Sequence, residues 1–225
     1  MKRPTSKASS ARRTASVAHK DRRSPSSRAA RAAERRRAIL EAALDEFSTR
    51  GFAAARLEDV AKRAGVAKGT IYLHFKDKEA LFRDLVRTSL VPLIGNIPVP
   101  QGEISVRVLL EAFADTFVRE VLNTRRGDII RLVSAEGRRF PSLAEFHYHE
   151  VIERAVASMQ RLIAFGIARG EIHNEELQRF PQLIVAPALM ALLWQGLFGR
   201  FAPLDAAAML RTHIDLILQT PQRRA

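Results

Sequence analysis

The chain has 225 residues, 47% of them hydrophobic, with no cysteine and a formal net charge of +13. Without cysteine, disulfides, thiolate metal sites, thiol redox sensing and cysteine nucleophiles are excluded. No apolar run reaches the ~18 residues a membrane-spanning helix needs, and the positive excess favours an anionic partner, nucleic acid first.

The charge is uneven. Residues 1–29 carry nine basic side chains and one acid, Asp21, for a net of +8. The segment is rich in Ser and Ala and nearly lacks large apolar side chains. Burial there cannot offset the entropy of ordering, so it reads as a disordered basic tail. Three roles stay open for it: a solubilising tail, an arm on DNA phosphates or in a minor groove, and a transit peptide. No apolar stretch follows the basic start, so a secretory signal is not expected and a cytoplasmic protein is.

The elements follow in chain order. Residues 31–51 place Ile39, Ala43 and Phe47 at i, i+4 and i+8, with Leu40 and Leu44 beside them. That is one apolar helical stripe, closed by Gly51. Residues 56–64 form a shorter helix with Leu57, Val60, Ala61 and Ala64 inward. Gly65 and Val66 turn the chain into a third helix over 67–75. Asp77 caps a helix over 77–95, which Pro92 should bend or end. A proline-bearing loop, 96–103, precedes helices over 104–123, 127–140, 141–170, 174–201 and 203–219. Pro141 opens the third of these and Gly170 closes it. Asn174 is expected to cap the fourth, whose middle is apolar nearly all round. No strand alternation competes. The expected fold is all-α with about nine helices: a three-helix unit over 30–76, then a helical domain over 77–225.

Two short helices joined by a tight glycine-bearing turn make a helix-turn-helix. In the second, Ile71 and Phe75 lie four apart and face the first. Gly69, Thr70 and Leu73 then point away, with Lys68, Tyr72 and His74 on the flanks. Lys68, Thr70, Tyr72 and His74 can all donate hydrogen bonds, as a helix reading a major groove must. Gly69 lets the backbone approach a base edge.

The stretch DVAKRAGVAKGTIYLHFKDKEAL (59–81) resembles the helix-turn-helix signature of TetR-family transcriptional regulators, and RRRAILEAALDEFSTRGF (35–52) extends the resemblance. The resemblance implies contacts to bases and nearby phosphates from Lys68, Gly69, Thr70, Tyr72 and Leu73. It implies phosphate contacts from His74 and Lys78, with Arg56 in reach of the DNA backbone. Two positions depart from the family pattern. Ala55 stands where Thr or Ser commonly caps the second helix in partnership with the acid at Glu58. Ala67 stands where Ser is usual. Ala55 loses a side-chain cap, at a cost of about 1 kcal/mol, and Ala67 loses another cap and a hydroxyl near the phosphates.

The family plan also implies a homodimeric repressor on a palindromic operator, released by a small, largely apolar effector. Phe117 and Trp194 are the aromatic candidates for the effector pocket, with Arg131 as a polar anchor. Residues 183–198 carry more apolar surface than one small bundle can cover. Leu183, Pro187, Met190, Leu193 and Leu197, with Met209 and Ile217 from the last helix, are the expected dimer face, forming a four-helix bundle between two copies. The expected partners are therefore double-stranded DNA, an effector and a second copy, with no membrane, cofactor or metal. His147 and His149, two apart, point to opposite sides of a helix and cannot share an ion. No residues stand at catalytic spacing. An activator of the same fold and a sequence-neutral architectural protein are the alternatives.

Overall fold

The structure, a computed structural model, describes residues 25–95 and 102–218. Most of the segment expected as a tail, and most of the proline-bearing loop, therefore lie outside the described residues. Helix α1 (Pro25–Ala54) already begins at Pro25, so residues 25–29, expected in the tail, are helical. Proline's fixed φ and missing N–H suit a first turn. Its regular course is interrupted at Gly51, with φ 75 and ψ 159. A β-carbon there would sit 2.7 Å from Glu136 Oε1. The positive φ demands glycine, and a β-carbon would also push the Glu136 carboxylate aside.

Next come α2 (Leu57–Arg63), α3 (Lys68–His74) and α4 (Lys78–Ser89). The Asp77 carboxylate accepts from the Ala80 N–H at 2.7 Å and caps α4 as expected. The helix expected to run to residue 95 breaks at Leu90, and α5 (Val91–Gly95) is a separate turn. Pro92 has no N–H to donate, and its ring opposes the carbonyl of Thr88. Helix α6 (Val106–Phe117) runs on through a π-helical turn, Val118–Leu122. After α7 (Arg126–Glu136), α8 (Pro141–His147) passes through a second π turn, Tyr148–Ile152, into α9 (Glu153–Ala168).

The expected helix over 174–201 divides into α10 (Glu176–Arg179) and α11 (Gln182–Phe198), because Phe180 precedes a proline and leaves helical geometry. Pro187 lies inside α11 and cannot donate to the carbonyl of Leu183. His213 of α12 (Ala206–Leu218) takes that place, with Nε2 at 2.8 Å from the Leu183 oxygen. A helix defect thus becomes a tie between two helices. Each unbroken run counted once, and the single turns α5 and α10 set aside, the described residues hold nine helices and no strand.

Two apolar cores hold the chain. The first joins α1–α4 to Ile129 and Leu132 of α7 and Leu143 of α8. The second is built from α6, α9, α11 and α12. Packing therefore continues across residue 77: α1 rests on α7 and α4 on α8, while α2 and α3 pack on each other and α2 on α1. Leu93 and Ile130 pack against both cores and mark where they meet.

Candidate functional site

The α2–α3 unit presents a surface made by its own burial pattern. Ile71 and Phe75 are buried against α1 and α2, which turns the other side of α3 outward. Leu73 is 85% exposed, and Tyr72 is nearly half exposed. Lys68, Gly69 and His74 are exposed, Thr70 is half-buried, and Arg56 is exposed at the N-terminal boundary of α2. No side chain caps either helix. The N-cap of α2 is Arg56, one residue later than the expected Ala55, which is buried; the N-cap of α3 is Ala67.

One acid organises this face. Glu58 Oε1 accepts the Tyr72 hydroxyl at 2.8 Å and lies 3.1 Å from the Lys68 ammonium. Its own backbone N–H, then Tyr72 and Lys68, hold the Glu58 carboxyl down at about 2. The same hydrogen bonds raise the Lys68 and Tyr72 values. Two cation- and hydroxyl-bearing side chains are thus braced across the α2–α3 turn. Sequence reading gave Glu58 only a capping role, because the 14-residue separation from Tyr72 closes only once the turn has formed.

Lys78 takes a different place from the expected phosphate contact. Its ammonium donates to the carbonyls of Phe52 and Ala53, both at 2.7 Å, at the end of α1, and lies over the Phe52 ring. Burial pushes its pKa down. The side chain neutralises the negative end of a helix, a duty that ties the ammonium inward. The Phe52 N–H donates to Glu136 Oε1 of α7 at 3.2 Å, and the Phe52 ring packs against Phe47, Phe82 and Phe140. The end of α1 is thereby gripped by α4, α7 and α8.

A cavity of about 140 Å³ opens where the two cores meet. Its wall takes Leu90, Leu93 and Ile94 from the α4–α5 region, Phe113, Thr116 and Phe117 from α6, and Met159 from α9, with Val185 and Leu189 from α11. Both π turns reach it, through Val121 and through Val151 and Ile152. Such turns recur at functional sites. Among the described residues the lining is apolar except for Thr116 and His147. His147 is 6% exposed, and its Nδ1 is buried with no hydrogen-bond partner. Desolvation lowers its pKa to about 4, so the ring is neutral near pH 7.

Of the three residues expected at an effector pocket, only Phe117 lines this cavity. Trp194 packs on Phe198 and donates its indole N–H to the Ala202 carbonyl at 2.7 Å, closing the end of α11. Arg131 spans α7 to α11, pairing with Asp128 at 2.7 Å and donating to the Gln195 side chain and the Leu192 carbonyl. Both have the chemical type such a pocket uses, but their helix faces direct them elsewhere. His147 was set apart by no sequence signal. His149, two residues on, is exposed and lies 3.2 Å from Glu153, and no group of three metal-ligating side chains converges among the described residues.

On α11, Leu183, Met190, Leu193 and Leu197 form an exposed apolar stripe, with Leu197 64% exposed and Pro187 half-buried beside it. The last helix departs from expectation. Met209 and Ile217 turn inward, Ile217 being buried in the protomer's own second core.

Comparison with known proteins gives the same organisation. Residues 39–85 match the family described as bacterial regulatory proteins, TetR family, and residues 102–215 match the tetracyclin repressor-like C-terminal domain. The uncharacterized HTH-type transcriptional regulator YdeS of Bacillus subtilis is 29% identical over 161 residues, 71% of this chain and 79% of that protein. The HTH-type transcriptional repressor KstR2 of Mycolicibacterium smegmatis is 26% identical over 155 residues, 66% of this chain and 74% of that protein. In fold, the chain resembles the solved SmeT–triclosan complex with a TM-score of 0.69 at 18% identity, over 83% of this chain and 92% of that one.

Proposed function

The chain belongs to the TetR family of bacterial transcriptional regulators, and from that premise we propose that it is a homodimeric repressor released from its operator by a small, largely apolar effector. The observation that carries the reading is the outward face of α3, with Lys68, Tyr72, Leu73 and His74 exposed over a buried Ile71 and Phe75. Such a face suits the major groove: Lys68 and His74 toward phosphates or guanine, Leu73 against a thymine methyl, and Gly69 and Thr70 toward base edges. Arg56 reaches the flanking backbone. The apolar stripe of α11 supports a two-fold assembly, because a monomer seldom leaves so many large apolar side chains in solvent. KstR2 is itself a repressor, which supports that direction of control. A regulator acting on a bacterial chromosome works in the cytoplasm.

The cavity supports an apolar effector, as does the likeness to a protein solved with triclosan. Its position supports a route for release. Leu90, Leu93 and Ile94 follow α4, so a molecule that spreads the wall displaces the helix that follows α3 and packs on α1. Glu150 in the second π turn accepts from Arg87 of α4 at 2.9 Å, and Asp84 of α4 pairs with Arg36 of α1. A difference of about 1–3 kcal/mol between dimer geometries is enough to cut DNA affinity severalfold to a hundredfold.

Transcription in vitro from a promoter overlapping a selected binding site tests the reading. Added protein is expected to lower transcript yield. A rise would make the protein an activator, and no change at saturating occupancy would remove the regulatory reading at that site.

A further inference from the structure

The cavity discriminates more finely than an apolar lining alone would. Its volume, about 140 Å³, is close to that of the cavity of about 150 Å³ that takes up benzene in another protein. One ring, or an aliphatic group of that size, fills it. Among the described residues no Lys, Arg, Asp or Glu lines it, so an ion entering it would lose hydration with no countercharge from them to replace it.

The wall is not inert, however. His147 stands in it at the junction of α8 and the second π turn, with Nδ1 sealed from water and unpaired. Nδ1 is closed even to a water-sized molecule, so a molecule in the cavity meets the imidazole at Nε2. A neutral imidazole has one donor nitrogen and one acceptor nitrogen. A hydroxyl can serve either, since it donates and accepts; a carbonyl or ether serves only the donor. Thr116, the other polar residue in the wall, is likewise able to meet a hydroxyl.

We propose that the effector is an uncharged alcohol or phenol of about one ring in size, whose hydroxyl hydrogen-bonds to the imidazole of His147. The inference rests on reading the cavity as the effector site. It adds the polar group that selects among apolar molecules: the hydroxyl gives the imidazole a hydrogen-bond partner inside the cavity, and an otherwise identical hydrocarbon gives it none. His147 is also well placed to report occupancy. The π turn that begins beside it carries Glu150, the partner of Arg87 on α4.

The test is calorimetric titration of the full chain at pH 7 with three probes: 4-ethylphenol, ethylbenzene and 4-ethylbenzoate. The expected order is 4-ethylphenol about tenfold tighter than ethylbenzene, the value of one buried hydrogen bond, with no measurable binding of 4-ethylbenzoate. In His147→Phe, 4-ethylphenol should weaken to the level of ethylbenzene, whose own affinity stays within about twofold. Equal affinities for 4-ethylphenol and ethylbenzene in the wild type would overturn the inference. So would a phenol preference that survives His147→Phe, or 4-ethylbenzoate binding tightest. Each of those leaves the cavity as an apolar effector site. The companion variant Ala155→Phe fills the cavity from its wall. If no probe binds the wild type, or all bind Ala155→Phe unchanged, the cavity reading itself falls, and this inference with it.

Discussion

His147 and His149 show how far single residues can be read. Both lie in one helical stretch, two positions apart, and the sequence offers nothing to rank them. Burial separates them: one is sealed beside an apolar cavity, the other stands in solvent against Glu153. The difference has a pH signature. The folded-state pKa of His147 is lowered from 6.5 to about 4, so below pH 6.5 the unfolded chain takes up a proton that the native chain does not. Stability from this group is complete above pH 6.5 and is lost as pH falls toward 4, by about 3 kcal/mol in all. His147→Phe should lack this component. The wild-type minus variant difference in unfolding free energy, followed by urea denaturation from pH 7 to pH 4, should fall steadily toward acid; a flat difference would contradict the assigned burial. At pH 7 the variant should be at least as stable as the wild type, since an unpaired polar atom is removed without loss of shape. Ile71 and Phe75 were legible where His147 was not, because their spacing of four fixes a helix face without tertiary information.

Elements α1 to α4 were readable because each carries its own punctuation: Gly51, the Gly65–Val66 turn and Asp77. The breaks at Leu90 and Phe180 follow from the prolines just after them. The two π turns were not readable. Both border the cavity, and no composition marks their extra residue per turn. Gly51 belongs to this scale because it lets α1 end against α7. Gly51→Ala places a β-carbon 2.7 Å from Glu136 Oε1 at a positive φ and should cost about 1–3 kcal/mol. A melting curve unchanged from wild type would show that the grip of Glu136 on Phe52 is dispensable. The Arg87–Glu150 pair joins α4 to the cavity wall. Glu150→Gln should leave effector affinity within about threefold while raising the effector concentration needed to release DNA. Unchanged release would remove the pair from the coupling.

At the scale of the whole molecule, the all-α plan and the exposed side of α3 were legible, and the inward and outward sides of the last helix were not. Leu216, Ile217 and Leu218 follow one another without a polar residue to mark the outer side, so sequence could not tell that Ile217 faces the protomer's own core. The exposed stripe of α11 has the more direct consequence. Leu197→Glu puts a charge on a side chain already 64% exposed, so the protomer should fold normally. Sedimentation should then give one chain mass, 25.2 kDa, in place of twice that value. Affinity for a two-half-site duplex should drop at least about a hundredfold, because the half-sites are no longer bound as one event. An unchanged dimer mass would move the interface elsewhere.

The most direct measurement is selection of binding sites from a random duplex library at near-physiological salt, with wild type and Lys68→Ala in parallel. The expected result is an inverted repeat whose half-sites lie about one helical turn apart. Lys68→Ala should bind this site more weakly, with a salt dependence shallower by about one phosphate contact. Retained duplexes with no shared sequence, bound equally by both proteins, would contradict it: the positive charge alone would then hold the DNA, and the face from Lys68 to His74 would read nothing.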